Sequence, residues 1–406
     1  RKGLIGPWNH AYPHEGRPGP AIDYLSESLR WWDHWLKGRA TGIMDEPMLR
    51  AWMQDIAVIA GMADSPGRWV AEKRWPSPHI ATTTLYLNAG SLDATSKTER
   101  TLSLTPNQTV GAAGGRWLAL NPALDLPLEQ SVDDAHSLCF DSSALTEELE
   151  IFGRAALELD VAVDQPVAFL AARLNDVETG GESRRVSYAV LNLCHRNSDE
   201  RPSLLVPGAR YRARLELDSV AHRFSAGHRL RIALSTAYWP LILPSPHPVT
   251  LTVFTGHSCL ALPVRPREGG DERLPVFGAP QFPAMAVDGG PLEEPERRLT
   301  WNQLNNTQTI ERRGGGVVML HETATEVRRS IASTTTIAAD TPMGASAEYR
   351  IEFSLGRGEW QPKVATTTRM ELTVDDFVLH ARVLATLGTN AIGERNFTRR
   401  IRRRLV

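Results

Sequence analysis

The chain has 406 residues, enough for more than one hydrophobic core. Its 45 Lys plus Arg stand against 47 Asp plus Glu, a balance that gives no global attraction to nucleic acid or to an acidic surface. Three cysteines, Cys139, Cys194 and Cys259, lie far apart with no C-x-x-C spacing, which argues against a zinc site or a disulfide scaffold, and no apolar run approaches the length a helix needs to cross a bilayer.

The first informative stretch is Gly6-Pro7-Trp8-Asn9-His10. Leu4 and Ile5 end a short apolar run, Gly6-Pro7 breaks it, and Pro13, Gly16, Pro18, Gly19 and Pro20 keep the succeeding segment irregular. A histidine just past a strand end, on a loop held by the sheet beneath, is placed to reach a partner from another loop. Its near-neutral pKa makes it a candidate base, although a lone loop histidine is more often structural.

Pro20 and Asp23 open a helix that runs to about Lys37, and Gly38 ends it. Tyr24, Leu25, Leu29, Trp32, Trp35 and Leu36 recur at helical spacing as one apolar face, so packing against a sheet is the expected role of Trp31, Trp32 and Trp35. Asp33 and His34 are read as surface pairs. Met48–Gln54 is predicted to be a strand, the last of its sheet, and Trp75-Pro76-Ser77-Pro78 an extended connector that ends the first region, residues 1–78.

Residues 79–265 then read as all-β. Strands are predicted over 83–88, 155–163, 167–177, 184–191, 211–217, 229–235 and 249–254. In Leu230-Arg231-Ile232-Ala233-Leu234 the three larger aliphatic residues fall on one face, while Glu158, Asp160, Arg212, Arg214 and Glu216 take outward positions. Many short strands between Gly, Pro and Asp turns indicate a sandwich or jelly roll. His222 and His228 flank a turn, and without a third ligand they are read as turn residues rather than a metal site. The Trp239-Pro240 loop is read either as part of an active-site wall or as a plain crossover. Residues 266–298, rich in Pro, Gly and charge, read as a linker; 299–406 carry further β segments packed on the sandwich, at 317–321, 347–354, 366–374 and 376–387. Glu322, Glu326, Asp375 and Asp376 are taken as solvated strand ends, and the basic tail Arg399–Arg404 as a solvated end.

The GPWNH segment, the Trp-rich helix after it and the run AHRFSAGHRLRIALS (Ala221 to Ser235) together resemble the family of serine hydrolases that includes cocaine esterase and the X-Pro dipeptidyl-peptidases. The resemblance implies a mostly β chain: the C-terminal end of an α/β-hydrolase domain followed by a galactose-binding-like jelly-roll β-sandwich. It also implies that His10 is the catalytic histidine, and in such enzymes it arrives last, after a Ser in a G-x-S-x-G elbow and an acid. Neither Gly256-His257-Ser258-Cys259-Leu260 nor Gly344-Ala345-Ser346-Ala347-Glu348 makes an elbow. The nucleophile and acid are therefore expected before Arg1, on a missing N-terminal hydrolase part, and the fragment alone is expected to be inactive.

The expected partner is a small-molecule ester, amide or peptide substrate, an acyl or ester bond being preferred to a dipeptide. No cofactor, metal, nucleic acid or membrane is called for; self-association stays open, and the location is read as cytoplasmic with export left open. A competing reading is a non-catalytic β-sandwich that binds carbohydrate or a protein, which a row of exposed aromatics on one face would favour.

Overall fold

The computed structural model describes residues 1–267, 271, 274–281, 287–292 and 294–406. Near the N-terminus, β1 (Gly3–Ile5) precedes α1 (Tyr24–Lys37), and β2 (Leu49–Gln54) and β3 (Gly67–Glu72) come after it. β2 lies between β1, parallel to it, and β3, antiparallel to it. β1 is thus an edge strand, and the sheet continues away from it through a single bridge from Gln54 to His222.

Beyond that bridge the strands form a β-sandwich. One antiparallel group runs through Tyr211–Glu216, Ala156–Val163, Leu251–Val264 and Ala81–Leu87, and the other through Leu138–Ser142, Arg229–Ser235, Phe169–Val177 and Ser183–Asn192. The two groups share one core. Leu157, Leu159 and Val161 from the first meet Leu170, Leu174, Leu230, Ile232 and Leu234 from the second, all essentially buried. Turning such side chains inward contributes about 1.5–3 kcal/mol each, and in a strand the period of two then fixes which residues face out. On the outer face Arg212 bridges Glu158 at 2.8 Å and Asp160 at 2.9 Å, while Arg214 bridges Glu158 at 3.2 Å and Glu216 at 3.0 Å, as the alternation predicts.

A second sheet of eight strands comes next, as an antiparallel meander from Val287–Pro291 to Asn390–Arg402. One of its strands, Val287–Pro291, falls within the stretch read as a linker and a second, Glu296–Asn302, begins there; residues 268–270, 272–273, 282–286 and 293 of that stretch lie outside the described residues. The strand Thr307–Leu320 runs straight through Gly314-Gly315-Gly316 and so begins well before the β segment predicted at 317–321. A Cβ at Gly315 would collide with the carbonyl oxygen of Arg329 on the next strand, so close backbone approach explains that glycine. The basic tail is also not a loose end. Arg399–Arg402 belong to the last strand, and Arg403 donates to the carbonyls of Val406, Thr373 and Pro244.

The sandwich and the second sheet meet at Trp239. Its side chain is buried with Ile337, Ala345, Ala347 and Leu372, so the loop, which does cross between the two strand groups, also serves as a hydrophobic dock for the second sheet. Where β3 meets the sandwich, Arg265 is buried among three carboxylates: Glu72 at 2.8 Å, Glu150 at 3.3 Å and Asp271 at 2.9 Å. Removing the cation would leave those carboxylates buried against each other. Arg265→Ala is expected to cost about 3–5 kcal/mol in urea denaturation, whereas Arg214→Ala on the exposed ladder is expected to cost less than about 1 kcal/mol.

Candidate functional site

His10 lies five residues past the end of β1, on a loop anchored on several sides. Trp8 sets the first anchor: its indole Nε1 donates to the Pro20 carbonyl at 2.7 Å, and its ring lies 6.2 Å from Trp69 of β3. Trp69 in turn packs edge-on against Trp52 of β2 and Phe277. Glycine is required on both flanks of the indole, because a Cβ at Gly6 would stand 2.5 Å from it and one at Gly16 would stand 2.6 Å from Trp8 side-chain atoms. Asn9 sets the second anchor. Its Oδ1 accepts the Arg17 amide at 3.0 Å, its own amide donates to the Arg17 carbonyl at 2.9 Å, and its Nδ2 donates to the Leu120 carbonyl at 3.0 Å. Finally, the His10 amide donates to the Ala119 carbonyl at 3.0 Å.

The backbone of His10 is therefore fixed while its ring is exposed. Among the described residues the imidazole has no hydrogen-bond, ion-pair or ring partner. Sequence reasoning finds the histidine but not Asn9, Ala119 or Leu120. The contact from Asn9 to Leu120 spans 111 positions, and nothing local in either segment announces it.

No second member of a catalytic set comes to His10 from among the described residues. Ser258 is wholly buried in the sandwich, where its hydroxyl donates to the Phe254 carbonyl and accepts the Asp160 amide. Ser346 is the first residue of the strand Ser346–Gly356. His222 and His228 both bond Asp176, at 3.0 and 2.8 Å, one to each carboxylate oxygen; among the described residues no third ligand joins them. Asp375 pairs with Arg402 at 3.1 Å and Glu326 with Arg328 at 3.1 Å, in keeping with solvated strand ends, whereas Asp376, read the same way, is buried and pairs with Arg400 at 3.1 Å.

A cleft of about 560 Å³ opens beside the base of the His10 loop, between β1 and the sandwich, lined by Ile5, Gly6, Trp52, Phe152, Arg185 and Tyr188 among others. Burial pushes the Tyr188 phenol up to about 12, so it stays protonated. Ser187 also lines the cleft, but its hydroxyl donates to the Asp218 carbonyl and faces no base.

The helix α1 departs from expectation. It is capped as predicted, by Asp23 at its start and Gly38 at φ 65° after its end, and Asp33 forms surface pairs with Lys37 and Arg39, both at 2.8 Å. Those two cations hold the Asp33 carboxyl below the usual range. Yet no residue of the helix is buried. Leu29, Trp32, Trp35 and Leu36 are all more than half exposed, so the apolar stripe predicted to pack on a sheet has no cover among the described residues.

The sequence comparisons bear on the same region. A family model described as the X-Pro dipeptidyl-peptidase C-terminal non-catalytic domain matches residues 41–272, more than half of the chain. The chain belongs to that family. The matched range takes in β2, β3 and the sandwich and begins after His10. Among curated proteins, the chain is 24 % identical over 263 residues to cocaine esterase of a Rhodococcus species, covering 58 % of this chain and 44 % of the esterase. It is 27 % identical over 263 residues to a Mycobacterium bovis protein named as a serine esterase, covering 58 % of this chain and 40 % of that protein. The chain thus spans less than half the length of the curated relatives it matches. Among solved structures, an aminopeptidase from a marine sediment Thaumarchaeota archaeon superimposes with a TM-score of 0.53 at 18 % identity, covering 65 % of this chain and 49 % of that one. The likeness supports the fold alone, a mostly β chain built around a β-sandwich.

The packing around Trp8 can be tested directly. Gly16→Val forces a side chain into the indole and is expected to destabilise the protein by about 1–3 kcal/mol, with a shift in tryptophan emission as Trp8 leaves its place. Unchanged stability and emission would show that the indole is not confined there.

Proposed function

We propose that this protein is the histidine-bearing part of a serine hydrolase that cleaves ester or amide bonds. In this reading His10 is the general base of a Ser-His-acid triad, and the serine and acid lie on polypeptide outside these 406 residues. The observation that carries the reading is the exposed, unpartnered imidazole on a backbone anchored from several directions. That is the arrangement expected of a base whose nucleophile comes from elsewhere.

The chemistry is that of the side chain. The imidazole accepts the serine proton as the hydroxyl attacks the substrate carbonyl, then gives a proton to the leaving alcohol or amine. Water repeats the sequence on the acyl-enzyme, and the acid holds the tautomer throughout. The oxyanion donors, one of them the amide after the serine, belong to the same outside part. Two further features support a hydrolase core packed here: the free edge of β1 and the uncovered apolar stripe of α1. An acyl or ester bond is preferred to a dipeptide, because no acidic pair for a substrate amine is assigned near the cleft. The carbohydrate-binding alternative has little behind it. Exposed tryptophans such as Trp32, Trp75, Trp117, Trp301 and Trp360 sit on different elements and form no row on one face of the sandwich.

In protein that carries its nucleophile, His10→Ala is expected to lower kcat by about four or more powers of ten. The 406-residue chain alone is expected to take up no fluorophosphonate probe. Wild-type turnover in the variant, or labelling of a serine within this chain, would overturn the proposal.

A further inference from the structure

A second cavity, of about 430 Å³, lies between the sandwich and the second sheet; it shares no lining residue with the cleft, though Leu120, whose carbonyl accepts from Asn9, stands on its wall. Its floor is one face of three neighbouring strands. On Thr307–Leu320 that face carries Arg312, Gly314, Gly316 and Val318; their cross-strand partners on Thr325–Ala338 are Ser333, Ile331, Arg329 and Val327. Phe353 of the next strand stands opposite Arg329. Leu124 of the sandwich reaches down to Gly314, where a Cβ would stand 3.3 Å from its Cδ1, while Gly316 supplies no side chain and leaves a hollow beside it, with Leu120 also on the facing wall.

One end of this trough is strongly positive. The register places Arg297 directly opposite Arg312, an unfavourable pairing of like charges on one face. Arg116 reaches the same row from the sandwich, its Nη2 3.2 Å from Ser333 Oγ. Two of the three guanidiniums have partners. Arg297 donates to the carbonyls of Ala112 at 2.5 Å and Leu126 at 3.4 Å, and Arg116 lies 3.4 Å from Asp125. Asp125 spends its other oxygen on the amides of Leu120 and Asn121.

Arg312 is only 4 % exposed, and its Nε and Nη2 have no hydrogen-bond partner among the described residues. Burial, with the nearby Arg297 and Arg116, pushes its guanidinium down to about 10. A buried cation without a counter-charge is costly, and a site is expected to retain one only where something else neutralises it.

We propose that this trough binds a carboxylate carried on an apolar chain, the carboxylate paired with Arg312 and the chain running past Leu124 to lie over Gly316 among the side chains of Val318, Ile331 and Phe353. The planar fork of arginine matches a carboxylate with two parallel hydrogen bonds, and the wall beyond it is apolar. Neither the charge nor the apolar wall alone accounts for the arrangement. A small inorganic anion would leave the trough empty, and a neutral chain would leave Arg312 unpaired.

The test is calorimetric titration of the purified protein with sodium octanoate, with 1-octanol and inorganic phosphate as separate arms. Octanoate is expected to bind at least about tenfold more tightly than either control, since each control lacks one half of the recognition. Arg312→Met is expected to weaken octanoate at least about tenfold and, without ligand, to raise the melting temperature, because it removes an unpaired buried charge. Gly316→Val fills the trough without touching Arg312; its Cβ would meet only the Gly290 carbonyl, at 3.5 Å, and it is expected to weaken octanoate while leaving phosphate unchanged. Undiminished octanoate binding by Arg312→Met or by Gly316→Val would overturn the proposal. So would phosphate binding as tightly as octanoate, or no octanoate binding at all.

Discussion

Two hydrogen bonds cross from the loop after β1 to the carbonyls of Ala119 and Leu120, and the position of His10 depends on them. β1 contributes only three residues and, among the described residues, pairs with β2 alone, so it cannot by itself hold a loop that runs on through four prolines and several glycines before α1. What holds it is external. Trp8 is trapped between Gly6 and Gly16 and joined to Trp69, Asn9 bridges Arg17 and Leu120, and the His10 amide closes onto Ala119. The sandwich therefore does more than sit beside the N-terminal loop. Its 119–121 segment sets where the imidazole projects, which gives a physical reason for the family's non-catalytic domain to be joined to the loop that carries His10.

Buried charge is handled in two opposite ways in this protein. Arg265 is surrounded by Glu72, Glu150 and Asp271, and the Arg68 guanidinium 2.6 Å from Glu150 offsets part of the excess negative charge. Arg173, equally buried, lies 2.9 Å from Asp134 and 3.4 Å from Asp133. Both cations tie separate segments together, the first β3 to the sandwich and the second the 131–134 helix to the strand Phe169–Val177. Arg312 contrasts with them, being buried with two other guanidiniums nearby and unpaired at two of its nitrogens. Arg50, likewise buried without an ion pair, is covered by the Phe277 ring at 3.8 Å and donates to the Pro275 carbonyl; among the described residues Arg312 has neither kind of cover, and that points to a ligand.

How much of this the sequence reveals depends on the range of the interaction. Leu230, Ile232 and Leu234 alternate with Arg231, and burial of one face makes the strand readable from a single short run. The outward ladder of Glu158, Asp160, Arg212 and Arg214 is readable for the same reason. The start and stop of α1 are local, and Asp23 and Gly38 announce them. Its burial is not local: the same periodic stripe describes a covered helix and an uncovered one, and only coordinates separate them. The second sheet is harder to read because Gly314-Gly315-Gly316 mimics a turn, and because the arginines of its last strand resemble a solvated tail. The juxtaposition of Arg297 with Arg312 arises from strand register alone and leaves no trace in either segment. His10 is legible through the GPWNH frame, while the carbonyls of Ala119 and Leu120 that hold the loop are not.

Whether the sandwich holds the His10 backbone while the ring stays free is measured directly by amide hydrogen exchange across residues 6–20. The amides of Asn9, His10 and Arg17, each a donor in the anchoring set, are predicted to exchange at least about a hundredfold more slowly than an unstructured chain. Exchange of these three at the unstructured rate, while amides of the strand Phe169–Val177 remain protected, would contradict it: the sandwich would then not position the loop.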